Sequence, residues 1–249
     1  MVVVKTATAS AYAHINSELH MESGRVLRYV APQSLNANLS DHQQVALLAQ
    51  EKRQLFGDAA DESEKWAGVN DLCCALDNIV EIDHETDLFK GKSILEVGFT
   101  SGLPAAYALQ HQAASATLFC HDKTQMESFV KPTMRRNNIR NNIKFITCDI
   151  EDLKEKLKGQ KFDIILAPEL VNTDQKYYEQ IYEMLEAALT DNGIIFFSGR
   201  THYRHCDGNM PAMLDLVKSK NQFDAIDRLC GQRVDTTPWK VVQLIRKMR

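Results

Sequence analysis

The sequence lacks the paired-cysteine spacing, Cys-x-x-Cys, that is typical of zinc ribbons and thioredoxin-like redox motifs. Several of its six cysteines stand inside apolar runs, as small buried hydrophobic residues do. His202, His205 and Cys206 lie close together in the chain, but they do not have the four-ligand spacing of a closed metal site. We therefore expect a reducing compartment and no bound metal.

The chain also lacks long apolar runs and an excess of positive charge. No stretch approaches the ~20 apolar residues that a membrane-spanning helix needs, and the first residues do not have the pattern of a signal peptide. The formal net charge is -4, which argues against the broad positive field of nucleic-acid-binding proteins. We expect a monomer of the cytoplasm or nucleus, with no membrane partner and no direct nucleic-acid partner.

The chain has enough apolar material for one large α/β domain, since 44% of its 249 residues are hydrophobic. Residues 1–65 differ from the rest. Val26–Val30 predicts a strand there, and Val45–Phe56 predicts a short helix. We interpret residues 1–65 as an arm or lid that packs on a main domain spanning residues 66–249.

Predicted strands and helices alternate after a first helix at Asn70–Ile79, in the rhythm of a parallel, doubly wound sheet. Five strands are predicted in this region: Ser93–Val97, Ala116–Cys120, Ile143–Cys148, Phe162–Ala167 and Gly193–Ser198. The last two strands, Phe223–Leu229 and Trp239–Arg246, have only a loop between them and should pair antiparallel. This predicts the Rossmann-like, seven-stranded fold of methyltransferases, with a mostly parallel sheet and a C-terminal antiparallel hairpin.

The first strand of this region ends in the turn Glu96-Val97-Gly98-Phe99-Thr100-Ser101-Gly102. A dinucleotide-binding turn has the spacing G-x-G-x-x-G, but here Thr100 stands in place of the second glycine. Gly98 allows the backbone to approach a ligand closely, and Glu96 is placed to bind a cationic amino group. The pattern favours a methionine-type ligand over a pyrophosphate, and a plain strand-to-helix turn is the alternative.

Acidic residues lie at the ends of four successive strands of the predicted parallel sheet: Glu96, Asp122, Asp149 and Glu169. The carboxyl ends of parallel strands meet at one edge, where open α/β sheets bind their ligands. Asp122 is placed to accept hydrogen bonds from ribose hydroxyls, and Asp149 to meet the amino group of adenine. Each acid alone is explained as well by a helix cap. Together they predict a rim that binds a cationic, phosphate-free nucleoside.

These motifs resemble the histidine protein methyltransferase family, a branch of the seven-stranded protein methyltransferases that also includes lysine methyltransferases. Trp66–Leu72 is similar to the family's Trp-Glu-Cys-Thr-x-Asp-Leu segment, and the glycine turn to its Asp-Leu-Gly-Cys-Gly-Ser-Gly-Leu. Phe162–Glu169 is similar to its fourth strand and Ser-Glu end, and His202-Tyr203 to part of its loop after strand five. The resemblance implies S-adenosylmethionine as cofactor and a protein substrate, with a ribosomal protein as a candidate.

The resemblance also implies roles for particular residues. Those expected to act at the methyl acceptor are Glu169 and Asn172, and those expected to bind the cofactor are Trp66, Glu96, Gly98, Gly102, Asp122, Lys123, Asp149 and Ala167. A neutral imidazole is already nucleophilic near neutral pH, whereas a lysine must first lose a proton. We therefore expect a protein-histidine N-methyltransferase.

The sequence departs from the family pattern at several positions, including Thr100 for a glycine and Asn172 for a tyrosine. These departures leave two alternatives open, a non-catalytic protein-binding module and a small-molecule methyltransferase. A basic cluster is interpreted as a solvated helix face, with contact to RNA or a ribosomal surface as the alternative; it consists of Lys131, Arg135, Arg136 and Arg140.

Overall fold

A computed structural model describes residues 14–32, 59–231 and 237–247. Its main feature is a seven-stranded sheet in the order β5-β4-β3-β6-β7-β9-β8. The strands are β3 (Ser93–Glu96), β4 (Ser115–Cys120), β5 (Ile143–Thr147), β6 (Phe162–Ala167), β7 (Leu189–Arg200), β8 (Phe223–Gly231) and β9 (Trp239–Arg246). The helix expected at Val45–Phe56 lies outside the described residues.

The five neighbouring strands β5, β4, β3, β6 and β7 are parallel, and β9 pairs antiparallel with both β7 and β8. The predicted fold, a mostly parallel sheet closed by a C-terminal hairpin, is confirmed. β6 is apolar along most of its length because it is buried on both faces of the sheet. Since β3 lies between β4 and β6, the chain reverses its direction of travel across the sheet at β3 and β6. That switch point is where open α/β sheets bind ligands.

Helices cover both faces of the sheet, in chain order α1 (Ala59–Asp77), α2 (Leu103–Gln110), α3 (Lys123–Gln125), α4 (Lys131–Arg136), α5 (Ile150–Leu157), α6 (Tyr178–Ala188) and α7 (Met210–Lys220). Buried side chains of α1, α2 and α4 form the core on one face. Those of α5, α6 and α7 form the core on the other. None of the described helices is both long and apolar enough to cross a lipid bilayer.

α1 differs from the sequence prediction: it begins at Ala59, well before the predicted Asn70, and its buried face includes Trp66 and Val69. Residues 123–136 do not form one continuous α-helix. A π turn at Met126–Val130 separates α3 from α4, which begins at Lys131 with Pro132 in its first turn. A proline fits the first turn of a helix but not its interior.

A two-stranded hairpin, β1 (His14–His20) and β2 (Val26–Pro32), packs on the helices of the first face. Among the residues that the structure describes, the outer edge of β2 is bonded by side chains rather than by another strand. Val30 N donates to Thr133 Oγ1 at 3.1 Å, and Arg28 N donates to Asn137 Oδ1 at 3.0 Å. The strand expected at Val26–Val30 is therefore confirmed. The division at residue 65 stays a prediction, and α1 runs across it.

Candidate functional site

The glycine turn after β3 is held from inside by Glu96, which is fully buried. Its Oε1 accepts hydrogen bonds from the amides of Ser101 (2.9 Å) and Gly102 (2.8 Å), and its Oε2 accepts one from Ala105 (2.9 Å). The carboxylate therefore satisfies amides at the start of α2 that have no partner within the helix. Burial raises the pKa of Glu96 to about 7, against the opposing effect of these amides. The expected contact of Glu96 with a ligand stays a prediction.

Gly98 brings this turn against the loop that follows β6. Its φ of +79° is in the left-handed region, and a Cβ at this position would lie 2.5 Å from the carbonyl oxygen of Pro168. The next amide, that of Phe99, donates to the same oxygen at 2.8 Å. Gly102 has a φ of +83° where α2 begins. The two turns at the switch point of the sheet are therefore joined directly, and glycine is required for that approach.

Thr100, which replaces a family glycine, is almost completely buried. Its hydroxyl donates a hydrogen bond to the carbonyl oxygen of Phe119 at the end of β4. Gln125 Nε2 donates to the carbonyl oxygen of Thr100 at 3.3 Å. The threonine side chain thus fastens the turn to the neighbouring strand, so this departure has a structural partner.

The ends of β4 and β5 carry Asp122, Lys123 and Asp149 next to this turn. Asp122 is partly exposed, and its Oδ1 caps α3 by accepting from Thr124 N at 2.7 Å. The structure gives Asp122 Oδ2 no hydrogen bond among the described residues. Asp149 is exposed and makes no side-chain cap to α5, while Lys123 is exposed. Since β4 lies between β3 and β5, these polar groups share one edge of the sheet with the turn.

Trp66 packs behind the turn. It is 5% exposed. Its ring stacks on Tyr29 with centroids 5.0 Å apart, and it meets Phe99 edge-on at 5.6 Å. These contacts join α1, the N-terminal hairpin and the glycine turn in one aromatic cluster. A contact between Trp66 and the cofactor stays a prediction; packing is the role that its burial supports.

β6 ends at Ala167, and Glu169 two residues later is buried with its side chain turned into the protein. Tyr203 donates a hydrogen bond of 2.6 Å to Glu169 Oε2, and Arg200 Nε lies 3.8 Å from Oε1. Burial, and then the negative charge of Glu169, raises the pKa of Tyr203. A Cβ at Gly68 would lie 1.9 Å from Glu169 Oε1, so a larger residue at this point of α1 would displace the Glu169 side chain. Contact of Glu169 with a methyl acceptor stays a prediction.

Asn172 lies in the loop after β6, beside the loop that follows β7. His205 Nε2 and Asn172 Oδ1 are 2.7 Å apart, and Cys206 Sγ is 3.9 Å from the same oxygen. The Nδ2 of Asn172 is buried and has no hydrogen-bond partner among the described residues. We name Asn172, His205 and Cys206 the acceptor cluster, after the methyl acceptor that Asn172 is expected to contact; that contact stays a prediction.

Arg200, Gly68 and Ser198 have structural roles that were not predicted from the sequence. Ser198 Oγ accepts from Glu169 N at 3.0 Å and donates to Gly68 O at 2.9 Å, which ties α1, β6 and β7 together. An arginine at the end of β7, shortly after the apolar run of that strand, was the local sign of a buried ion pair. In the part of the chain that the structure describes, no group of three or more His, Cys, Asp or Glu side chains is arranged to hold a metal ion.

A mostly parallel seven-stranded sheet with a C-terminal antiparallel hairpin defines the protein as a methyltransferase by fold. The chain matches the lysine methyltransferase family over residues 63–205. It therefore belongs to that family. The expected resemblance is confirmed as that of a divergent member.

The chain is also similar to individual proteins. The chain is 38% identical to the uncharacterised protein F22B7.9 of Caenorhabditis elegans, over 99% of this chain and 100% of that one. It is 27% identical to a histidine protein methyltransferase 1 homologue of Dictyostelium discoideum, over 60% of this chain and 48%, about half, of the relative. Its fold is similar to that of an O-methyltransferase from Bacillus cereus in complex with SAH, with a TM-score of 0.50 and 12% identity over 86% of this chain and 94% of that one.

Proposed function

We propose that this protein is an S-adenosylmethionine-dependent methyltransferase that modifies a histidine side chain of a protein substrate. The observation that carries the proposal is the rim at the switch point, where two partly or fully exposed carboxylates, Asp122 and Asp149, share one edge of the sheet with the glycine turn. Hydrogen-bond acceptors without a phosphate-binding turn suit a cationic nucleoside better than a dinucleotide.

The residues of the rim fit the cofactor in their chemistry. Asp122 has one carboxylate oxygen engaged in the helix cap, which leaves the second to accept from ribose hydroxyls. The glycine turn would hold the methionine part, and Asp149 the adenine amino group. The bound cofactor supplies an electrophilic methyl group on a sulfonium. The protein then aligns the acceptor nitrogen with that methyl group and excludes water, which is the main contribution an enzyme makes to a displacement of this kind.

The acceptor side favours histidine over lysine. A lysine must lose a proton before it can attack, and its reference pKa is about 10.4, whereas imidazole is mostly neutral above about pH 6.5. Glu169 is buried and hydrogen-bonded to Tyr203, so it is poorly placed to take a proton from an ammonium group. The amide of Asn172 offers both a donor and an acceptor, which suits the orientation of a neutral ring.

A protein acceptor is supported by the family and by the name of the Dictyostelium relative. A ribosomal protein is the candidate that the sequence resemblance suggests. Location in the cytoplasm or nucleus and a monomeric state are part of the same proposal.

Cofactor binding is tested by isothermal calorimetry with S-adenosylmethionine and two variants of one residue. Asp122→Ala removes the ribose acceptor and the helix cap, while Asp122→Asn keeps the cap, since asparagine caps helices as well as aspartate does. We expect both variants to bind at least about tenfold more weakly than the wild type, because each loses a charged hydrogen-bond acceptor. Wild-type affinity in both would contradict the cofactor site.

The acceptor is tested by incubating the full chain and methyl-labelled cofactor with a matched cell lysate, followed by mass spectrometry of labelled material. We expect label on a histidine of a protein, and less label with Asn172→Ala although that variant binds the cofactor normally. Label only in small molecules would support a small-molecule methyltransferase. Cofactor binding without transfer would support a non-catalytic binding module, and label on lysine would refute the histidine assignment.

A further inference from the structure

A groove lies on the first face of the sheet, between α4 and the edge strand β5. Its volume is about 380 Å³. Three cations line it, Lys131, Arg135 and Arg140, and four apolar side chains line it as well, Met134, Ile139, Ile143 and Phe145. We call this feature the basic groove. It is lined by α4, by the loop that follows it and by the first part of β5, none of which carries a residue assigned to the cofactor or to the acceptor cluster.

The charge of this region is opposite to that of the rest of the chain. Residues 131–144 contain five lysines and arginines and no acid. The chain as a whole has a net charge of -4, so the remaining residues carry -9, the difference between -4 and +5. Lys131 donates to Glu127 at 2.5 Å, and this hydrogen bond is the main reason that the pKa of Glu127 is lowered. Arg135 and Arg140 are exposed and form no ion pair within the described residues.

The floor of the basic groove belongs to a strand with a free edge. In the described sheet, β5 pairs with β4 on one side and with no strand on the other. Ile143 and Phe145 alternate with Lys144, so both project to the face that α4 covers. An edge strand of this kind accepts an extended peptide through its backbone groups, and alternate side chains of that peptide enter the adjacent groove.

We propose that the basic groove binds an extended acidic segment of a partner protein, added to the free edge of β5. Aliphatic or aromatic side chains of the segment fill the apolar floor, and its carboxylates pair with Arg135 and Arg140. RNA fits the groove less well, because single-stranded binding relies on exposed aromatic faces. The ring of Phe145 is covered by Lys131, whose Nζ lies 5.3 Å from the ring centroid.

Binding at the basic groove does not depend on methyl transfer, so it is tested without cofactor. The probe is a fluorescein-labelled peptide of about eight residues that alternates leucine and glutamate, long enough to span β5. Fluorescence anisotropy measures its binding to the full chain. The comparison probes are a leucine–lysine peptide of the same pattern and a uridine oligonucleotide of the same length.

We expect the acidic peptide to bind and the basic peptide not to bind, with an affinity that falls as salt is added. The double variant Arg135→Glu with Arg140→Glu should bind the acidic peptide on the order of tenfold more weakly. A charge-matched control, Lys154→Glu with Lys218→Glu, changes exposed residues on α5 and α7 at the other face and should bind like the wild type. Thermal unfolding of each variant shows that the fold is retained.

Three results would overturn the proposal. The first is binding of the oligonucleotide but not of the acidic peptide, which would assign the basic groove to nucleic acid. The second is no binding of either probe. The third is that the control variant weakens binding of the acidic peptide as much as the groove variant does. None of these results bears on cofactor binding, which is measured separately with the Asp122 variants.

Discussion

The hydroxyl of Tyr203 donates a hydrogen bond of 2.6 Å to Oε2 of Glu169, and both side chains are almost fully buried. The same hydroxyl accepts from the amide of Arg200 at 2.9 Å. The end of β6 and the loop after β7 therefore share one buried polar unit behind the acceptor cluster. Each buried polar group in such a unit has a hydrogen-bond partner. Removal of one partner leaves a buried donor or acceptor without a hydrogen bond, which destabilises the fold.

We predict that Tyr203→Phe lowers the free energy of unfolding by about 1–3 kcal/mol, because it deprives Glu169 of a donor and the Arg200 amide of an acceptor. Urea denaturation measures the change. Tyr182→Phe is the matched control: the Tyr182 hydroxyl is buried with no partner among the described residues, so its removal should leave stability unchanged or raise it. Equal losses in the two variants would contradict the role assigned to the Tyr203 hydroxyl.

Glu96 should make stability depend on pH. Its pKa in the folded protein is raised from the ordinary 4.5 to about 7 by burial. Between these two values the folded state binds more protons than the unfolded state, so this contribution is full at low pH and is lost as pH rises through about 7. The loss amounts to on the order of 3 kcal/mol.

The test compares urea denaturation of the wild type and Glu96→Gln between about pH 5 and about pH 8. We expect the wild type to lose stability relative to Glu96→Gln as the pH rises over this range, because glutamine does not titrate. Parallel pH profiles for the two proteins would show that the pKa of Glu96 is not raised in the fold.

Gly98→Ala should disrupt the junction between the two turns. Its Cβ would lie 2.5 Å from Pro168 O, so the backbone must shift in addition to tolerating a φ of +79°. We expect a stability loss of about 1–3 kcal/mol and a marked loss of affinity for S-adenosylmethionine. Thermal unfolding and calorimetry measure the two effects.

Gly91→Ala is the control for that substitution. Its φ is +71°, but nothing lies within 4 Å of the added Cβ. The stability of this variant should therefore fall by only about 1 kcal/mol, the conformational cost of a side chain at this φ. It should bind the cofactor normally. If Gly91→Ala weakened cofactor binding as much as Gly98→Ala, backbone strain rather than the contact with Pro168 would be the cause.

Much of the fold could be predicted from local patterns. The apolar runs at Ile94, Leu118 and Ile164 mark strands because a strand buried on both faces must be apolar throughout. The absence of a helix-length segment between Phe223 and Trp239 made the terminal pairing antiparallel. The predicted start of α1 was wrong because Gly68 and the polar residues before it do not show a helical apolar pattern. The buried face of this part of the helix is defined only in the packed structure.

The candidate site was predictable in part. The position of Gly98 and of the acids after the strands follows from the sequence, because parallel strands place their carboxyl ends at one edge of the sheet. Which of those acids is exposed cannot be predicted from the sequence. Asp149 is exposed while Glu96 and Glu169 are buried. Burial depends on partners such as Tyr203 that are remote in the chain.

The sequence by itself determined the order of strands and helices, the glycine turn and the class of ligand that an acidic rim favours, because these depend on residues close together in the chain. Only the tertiary structure decided that Glu169 faces Tyr203, that the hairpin strand β2 is hydrogen-bonded to Asn137, and that Phe145 lines a groove at a free sheet edge. Each of these is a contact between distant segments, and its energy exists only after the chain has packed.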